Sequence, residues 1–250
     1  MVKGLDTFRE AFAGHADRYV LIGGVAASLT LEEVGIEFRS TRDLDIVLII
    51  EALDEVFCAE FWEFIKRGGY TERQELDGPS KRYRFGKPSD ERYPVLLELF
   101  SRAPDGLTLP ENADLTPVPV DGEISDLSAI LLDDTYYSFI VAGRNHTNDL
   151  AYIGVDRLIP LKAQAWTNLS LPDCVEEGAG RKSNKHLKDV VLLSRLLSAE
   201  SDIDLPQSIA NDLRSFLDVM PSLEVDMKAV GLRGVTITEV AERIRSAFKV

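Results

Sequence analysis

Asp43 and Asp45 stand one residue apart at the head of the apolar run Ile46-Val-Leu-Ile-Ile50. Alternate residues of a strand face the same side, so the two carboxylates fall on one face. The β-branched run behind them marks the strand as buried. Two like charges there repel each other and resist desolvation unless a cation compensates. A divalent cation does so, and oxygen ligands suit Mg2+. Upstream, Tyr19-Val-Leu-Ile22 is followed by Gly23, Gly24 and Val-Ala-Ala-Ser28. This reads as a strand, a Gly-Gly turn and a helix. Such a turn lets a backbone approach a phosphate while the helix amides point at it. A Gly-Gly turn alone is weak evidence, because it also makes tight connections, and Asp-x-Asp is common in exposed turns. Their order, strand, turn, helix and acidic strand, points to nucleotide chemistry.

Other residues could join this group. Glu98 is a lone acid in Val95-Leu-Leu-Glu-Leu-Phe100. It is a third metal carboxylate on a neighbouring strand, an edge-strand residue facing solvent, or an acid paired with an arginine. Arg42 adjoins the acids and could meet phosphate. Lys162 lies in the apolar helical stretch Leu158-Ile-Pro-Leu-Lys-Ala-Gln-Ala165, where a lysine needs a partner or an anion. Asp189 lies beside Lys188, and Lys185 precedes them by one turn. His15 and His146 read as ordinary helix and loop residues.

The elements that must position these groups alternate in type, and the chain reads as α+β. Helices are predicted over 4–17, 25–35 and Leu53–Lys66, and strands over 19–22 and 43–50. A hairpin follows, from Tyr70–Glu75 to Lys81–Phe85 around Asp77-Gly78-Pro79, then a strand over Arg92–Phe100. A strand at 116–120, a short helix at 126–132 and a strand at Tyr136–Ala142 come next, with Asn145–Asn148 as a turn. Past residue 154 the pattern is helical, with helices over Val155–Leu169, Asn184–Leu197, Pro206–Met220 and Thr238–Phe248 and a loop at Pro172–Lys182. Two domains are therefore expected, 1–154 and 155–250, closely packed with the active site between them.

Composition narrows the classes. The net charge of −14 lacks the basic footprint of a general nucleic-acid binder. Local basic groups remain at Arg39 and Arg42, at Lys81-Arg-Tyr-Arg84 and at Arg181-Lys-Ser-Asn-Lys185. The two cysteines, Cys58 and Cys174, form neither a disulfide framework nor a metal motif. No apolar run is long enough to span a membrane, and no signal-peptide core opens the chain, so the expected location is the cytoplasm. No Walker A motif and no Gly-x-Ser-x-Gly elbow occurs.

Gly23-Gly24-Val25-Ala26 and Arg39-Ser-Thr-Arg-Asp-Leu-Asp45, in that order, resemble the DNA polymerase β-like nucleotidyltransferase superfamily. The likeness is greatest to AbiEii/AbiGii-type toxin nucleotidyltransferases. Lys162 resembles the lysine of a later helix in that family, and Lys188-Asp189 resembles a Lys-Asp pair beyond it. The match rests on short motifs. Gly24 departs from the serine common at that position, so backbone amides would meet phosphate there without a hydroxyl.

The resemblance implies a nucleotidyltransferase-type mixed β-sheet with flanking helices, followed by a helical C-terminal part. It implies an Mg2+-dependent enzyme that moves a nucleotide from an NTP to an acceptor hydroxyl. Asp43, Asp45 and Glu98 would hold metal, and Gly23, Gly24, Arg42 and Lys188 would contact nucleotide. Lys162 would neutralise triphosphate charge, with Asp189 as a base, an orienting group or the partner of Lys162. A toxin–antitoxin setting follows, with an antitoxin protein as partner and an RNA such as tRNA as acceptor. The alternatives are a protein or small-molecule acceptor, and a non-catalytic nucleotide- or partner-binding module of the same fold.

Overall fold

The computed structural model of the chain describes residues 2–75, 82–105, 115–120, 123–147, 149–171 and 178–250. It forms two compact units, Met1–Ile153 and Gly154–Val250. The first is built on a mixed sheet and the second is helical among its described residues, so the architecture is α+β.

In the first unit, α1 (Leu5–Ala11) leads to β1 (Tyr19–Ile22), α2 (Gly23–Glu32), β2 (Asp43–Leu48) and α3 (Glu55–Gly68). Then follow β3 (Glu72–Glu75), β4 (Arg82–Gly86), β5 (Leu96–Ser101), β6 (Leu115–Val120) and β7 (Glu123–Leu131). The unit closes with α4 (Asp134–Ala142), β8 (Arg144–Thr147) and β9 (Leu150–Ile153). The strands order as β3-β4-β7-β5-β2-β1-β9-β8, with β6 on β7. β5 changes neighbour along its length: Leu96–Glu98 pair with β4, and Phe100–Ser101 with β7. Its opposite edge lies parallel to β2, which lies antiparallel to β1.

This register sorts the sheet into two faces. Tyr19, Leu21, Leu44, Ile46, Leu97, Leu99 and Phe85 share one, and all are buried. Phe8 from α1, Phe12 just after it, and Phe57, Phe61 and Phe64 from α3 cover it. Their rings interlock edge-on or tilted, as between Phe8 and Tyr19 at 5.2 Å and between Phe61 and Phe85 at 6.0 Å. Burying each such side chain is worth roughly 1.5–3 kcal/mol, and each ring pair about 0.5–1.5 kcal/mol more. Asp43, Asp45 and Glu98 fall on the other face.

α3 shows how local sequence fixes these elements. Phe57, Cys58, Phe61, Phe64 and Ile65 recur at helical spacing and are buried. Asp54 caps the helix start by accepting from the Phe57 amide, and Gly69 ends it with φ 59°. Arg18 also bonds the Asp54 carboxylate at 2.7 Å. That bond, with the Phe57 amide, holds Asp54 below its ordinary pKa.

Three local expectations are corrected. The helix expected over 126–132 is instead strand β7 as far as Leu131, because pairing with β5 and β6 outweighs the local pattern. Tyr136–Ala142 is helical rather than extended. Asp133 accepts from the Thr135 and Tyr136 amides, which starts α4, and Tyr137 and Ile140 are buried three residues apart. Asn145–Thr147 lie in β8, paired with β9, a strand the sequence reading lacked. The first helix is also shorter than 4–17, and Phe12 is buried just beyond its end. The Asp77-Gly78-Pro79 turn lies outside the described residues.

In the second unit, α5 (Val155–Leu169) packs on α6 (Ala179–Leu193) and α7 (Gln207–Val219), and α8 (Ile237–Phe248) packs on α7. α5 runs through Pro160, and Trp166 meets Phe216 at 5.3 Å. The start of α6 at Ala179 takes up part of the expected loop 172–182. Among the described residues, no helix is long and apolar enough to cross a membrane.

The depressed Asp54 pKa has a pH signature. A carboxylate bonded in the folded state stabilises it above the unfolded pKa of about 3.9 and loses that effect as pH falls through the lower folded pKa. Asp54→Asn is therefore expected to lower the Tm at neutral pH, with the gap to the parent closing below about pH 4. Thermal melts across that range check this.

Candidate active site

Strand β1 passes into α2 with no intervening residue. Gly23 makes this possible with φ 64°, a left-handed conformation that side chains disfavour. Ile22 lies opposite Asp45 in the β1–β2 ladder, so the Asp45 carboxylate is brought against the same turn. A Cβ on Gly23 would stand 1.8 Å from Asp45 Oδ2. The acid thus occupies the space that a side chain at residue 23 would fill. The N-cap residue of α2, Ile22, makes no side-chain capping bond, and the helix's first turn carries no acidic residue. The positive end of the helix dipole therefore favours a carboxylate or a phosphate there.

Gly24 is spare for a different reason. A Cβ there would lie 2.7 Å from Thr41 Oγ1. Thr41 is buried and bridges to Val2, and its carbonyl accepts from the Lys3 amide at 3.3 Å. The sequence reading passed over Thr41; its place in the Arg-Ser-Thr-Arg run beside the acids was the available signal.

Asp43 and Asp45 are half-buried and alternate with buried Leu44 and Ile46. Glu98 sits directly across from Asp45 on parallel β5. Arg84 sits directly across from Glu98 on antiparallel β4 and forms an ion pair with its carboxylate. Asp45, Glu98 and Arg84 are therefore three successive members of a row on one face. Among the described residues, no three acid, histidine or cysteine side chains gather as a metal cluster. Arg42 is exposed, and its carbonyl accepts from the Val95 amide at 3.0 Å, which ties the start of β2 to β5.

The remaining sequence candidates lie in the second unit. Lys162 of α5 donates to Asp189 Oδ2 of α6 at 2.7 Å. Both side chains are buried, at 5% and 3% exposure. The anion that burial demands of Lys162 is supplied by Asp189. Lys188 is exposed, since successive helix residues point in different directions while Asp189 turns inward. His146 is an exposed residue of β8.

In comparisons with known proteins, the chain matches no protein family and no curated protein in sequence. Among solved structures it is similar to the Megavirus polyadenylate synthase, with 10% identity and a TM-score of 0.36. The likeness covers 88% of this chain and spans about a third of the synthase, 36% of its length. A likeness this distant assigns neither fold nor activity.

Two expected outcomes follow from this geometry. Gly23→Ala adds a positive-φ penalty of about 1–2 kcal/mol and also drives Asp45 from its place. Urea unfolding should show at least that loss. Lys162→Ala leaves Asp189 buried without its ammonium partner, at a cost of about 3–5 kcal/mol. Lys162→Met with Asp189→Leu is expected to recover most of the loss, and the same unfolding series checks both.

Proposed function

We propose that the chain is a nucleotidyltransferase that uses Mg2+ to move a nucleotidyl group from an NTP to an acceptor hydroxyl. The observation that carries this reading is the meeting of Asp45 with the bare Gly23 turn, with Asp43 on the same face. The donor set fits Mg2+ of a particular kind. Mg2+ is commonly held by one or two carboxylates together with substrate phosphates, and not by an all-protein cage. Two aspartates on a shared strand face match that description.

In this reading Asp43 and Asp45 hold the cation. When bound, Mg2+ supplies Lewis-acid stabilisation of the charge that builds up around the α-phosphate. The Gly23 backbone and the first turn of α2 offer amides to the polyphosphate. Thr41 keeps that turn in place by packing on Gly24. As the acceptor oxygen bonds to the α-phosphorus, the bond to pyrophosphate breaks and the hydroxyl proton is released to solvent. Arg42, in the same unit, is an exposed cation available to phosphate; Lys188 is an exposed cation of the second unit.

The resemblance carries the finer part of the proposal: an RNA such as tRNA as acceptor and a toxin–antitoxin setting with an antitoxin partner. We place its action in the cytoplasm. A non-catalytic nucleotide-binding module is the second reading. It is favoured by Glu98, whose carboxylate is held by Arg84 rather than gathered with the aspartates.

Labelled NTPs, Mg2+ and separate RNA and protein fractions of a lysate test both readings. Transfer of label is expected, with the labelled fraction naming the acceptor class; binding without transfer selects the second reading. Asp43→Asn with Asp45→Asn should abolish Mg2+-dependent NTP binding and cut transfer by about 10²-fold or more. Unchanged Mg·NTP affinity by calorimetry in a folded double variant would falsify the assignment.

A further inference from the structure

Arg84 and Glu98 are placed as a pair by the sheet. The β4–β5 register sets them directly opposite, and the β2–β5 register sets Glu98 directly opposite Asp45. Adjacent strands lie about 4.8 Å apart, so cation, acid and acid stand in a line one strand apart. The Glu98 side chain is 16% exposed. A carboxylate this covered, next to Asp45 and on the face of Asp43, is disfavoured as an anion unless a cation lies against it. The Arg84 guanidinium is that cation, and its side chain keeps 39% exposure.

A guanidinium pairs equally well with carboxylate and with phosphate, through the same planar fork. The guanidinium thus has two pairings open to it. In the first, Arg84 holds Glu98. In the second, Arg84 pairs with a polyphosphate oxygen, and Glu98 turns to a divalent cation beside Asp45. The exchange trades one charge-assisted bond for another and keeps a cation against Glu98 in both.

We propose that Arg84 is a positioning residue that withholds Glu98 from the divalent-cation site until a polyphosphate arrives to take its place. The proposal rests on the nucleotidyl-transfer reading of Asp43 and Asp45. It assigns Arg84 a role in coupling: the nucleotide itself completes the carboxylate set, so that cation alone binds weakly and cation with nucleotide binds well.

The test is Mn2+ binding followed by electron paramagnetic resonance, with and without an α,β-methylene NTP analogue, which cannot be cleaved at the transferred phosphate. The parent protein is expected to bind Mn2+ weakly alone and more tightly with the analogue. In Arg84→Gln, affinity for Mn2+ alone should rise on the order of tenfold, and the analogue-linked gain should shrink by a similar factor. Arg84→Lys, which keeps the charge but loses the fork, should move both quantities in the same direction by less. A purely structural ion pair would change the Tm and leave the metal titration as it is, which would overturn the proposal. A rise in Mn2+ affinity with an undiminished analogue-linked gain would also overturn it, because removal of a charge explains that result without exchange. If the parent binds no Mn2+ even with the analogue, the reading of the aspartates fails and this proposal falls with it.

Discussion

At residue 23 a strand becomes a helix within a single peptide unit, and the carboxylate of Asp45 fills the space where a side chain would stand. Much of the first unit follows from that contact. The positive φ of Gly23 requires glycine, and the closeness of the acid requires it again. The antiparallel ladder between β1 and β2 sets Ile22 against Asp45, so the contact is fixed by backbone pairing and not by side-chain choice. Parallel pairing of β2 with β5 then carries Glu98 to the same place, and β4 brings Arg84. Aromatic packing by α1 and α3 covers the opposite face of the sheet.

The second unit has a different organising interaction. Lys162 and Asp189 are both almost fully buried. Their mutual attraction must offset the desolvation of two ions, and buried pairs seldom exceed an apolar pair of the same size in net stability. Such a pair matters chiefly through what happens when one member is lost. It also fixes how α5 and α6 lie against each other, since the ammonium and carboxylate must meet within hydrogen-bond distance. The lysine's burial therefore has a sufficient cause within its own unit.

Much of this was legible in the residues. Periodicity gave α3, α5 and α8 because their apolar spacing is strong and their ends carry clear signals, such as Asp54 and Gly69 for α3. The shared face of Asp43 and Asp45 follows from strand geometry alone. Other elements were hidden for physical reasons. Tyr136–Ala142 is rich in aromatic and β-branched residues, yet a cap one turn upstream and burial of Tyr137 and Ile140 make it helical. β7 is set by pairing with the adjacent β6 and with β5 farther back in the chain, which the periodicity of its own residues does not show. At the site, the alternation that marks Glu98 as unusual does not choose between a cation and an arginine as its neighbour. That choice depends on the β4–β5 register, which is a long-range fact. The packing of Thr41 on Gly24 is also long-range, and the pair of glycines looks alike in sequence although each is bare for its own reason.

The far end of the sheet has a consequence of another kind. β8 ends the strand order beyond β9, and it is the polar run Arg144-Asn-His-Thr147 with Asn145 and His146 exposed. A terminal strand offers unpaired amides and carbonyls to any other chain that can lie alongside it. A flat apolar strand in that position would invite copies of the protein to extend one another's sheets. Side chains that keep their water make such edge-to-edge stacking costly.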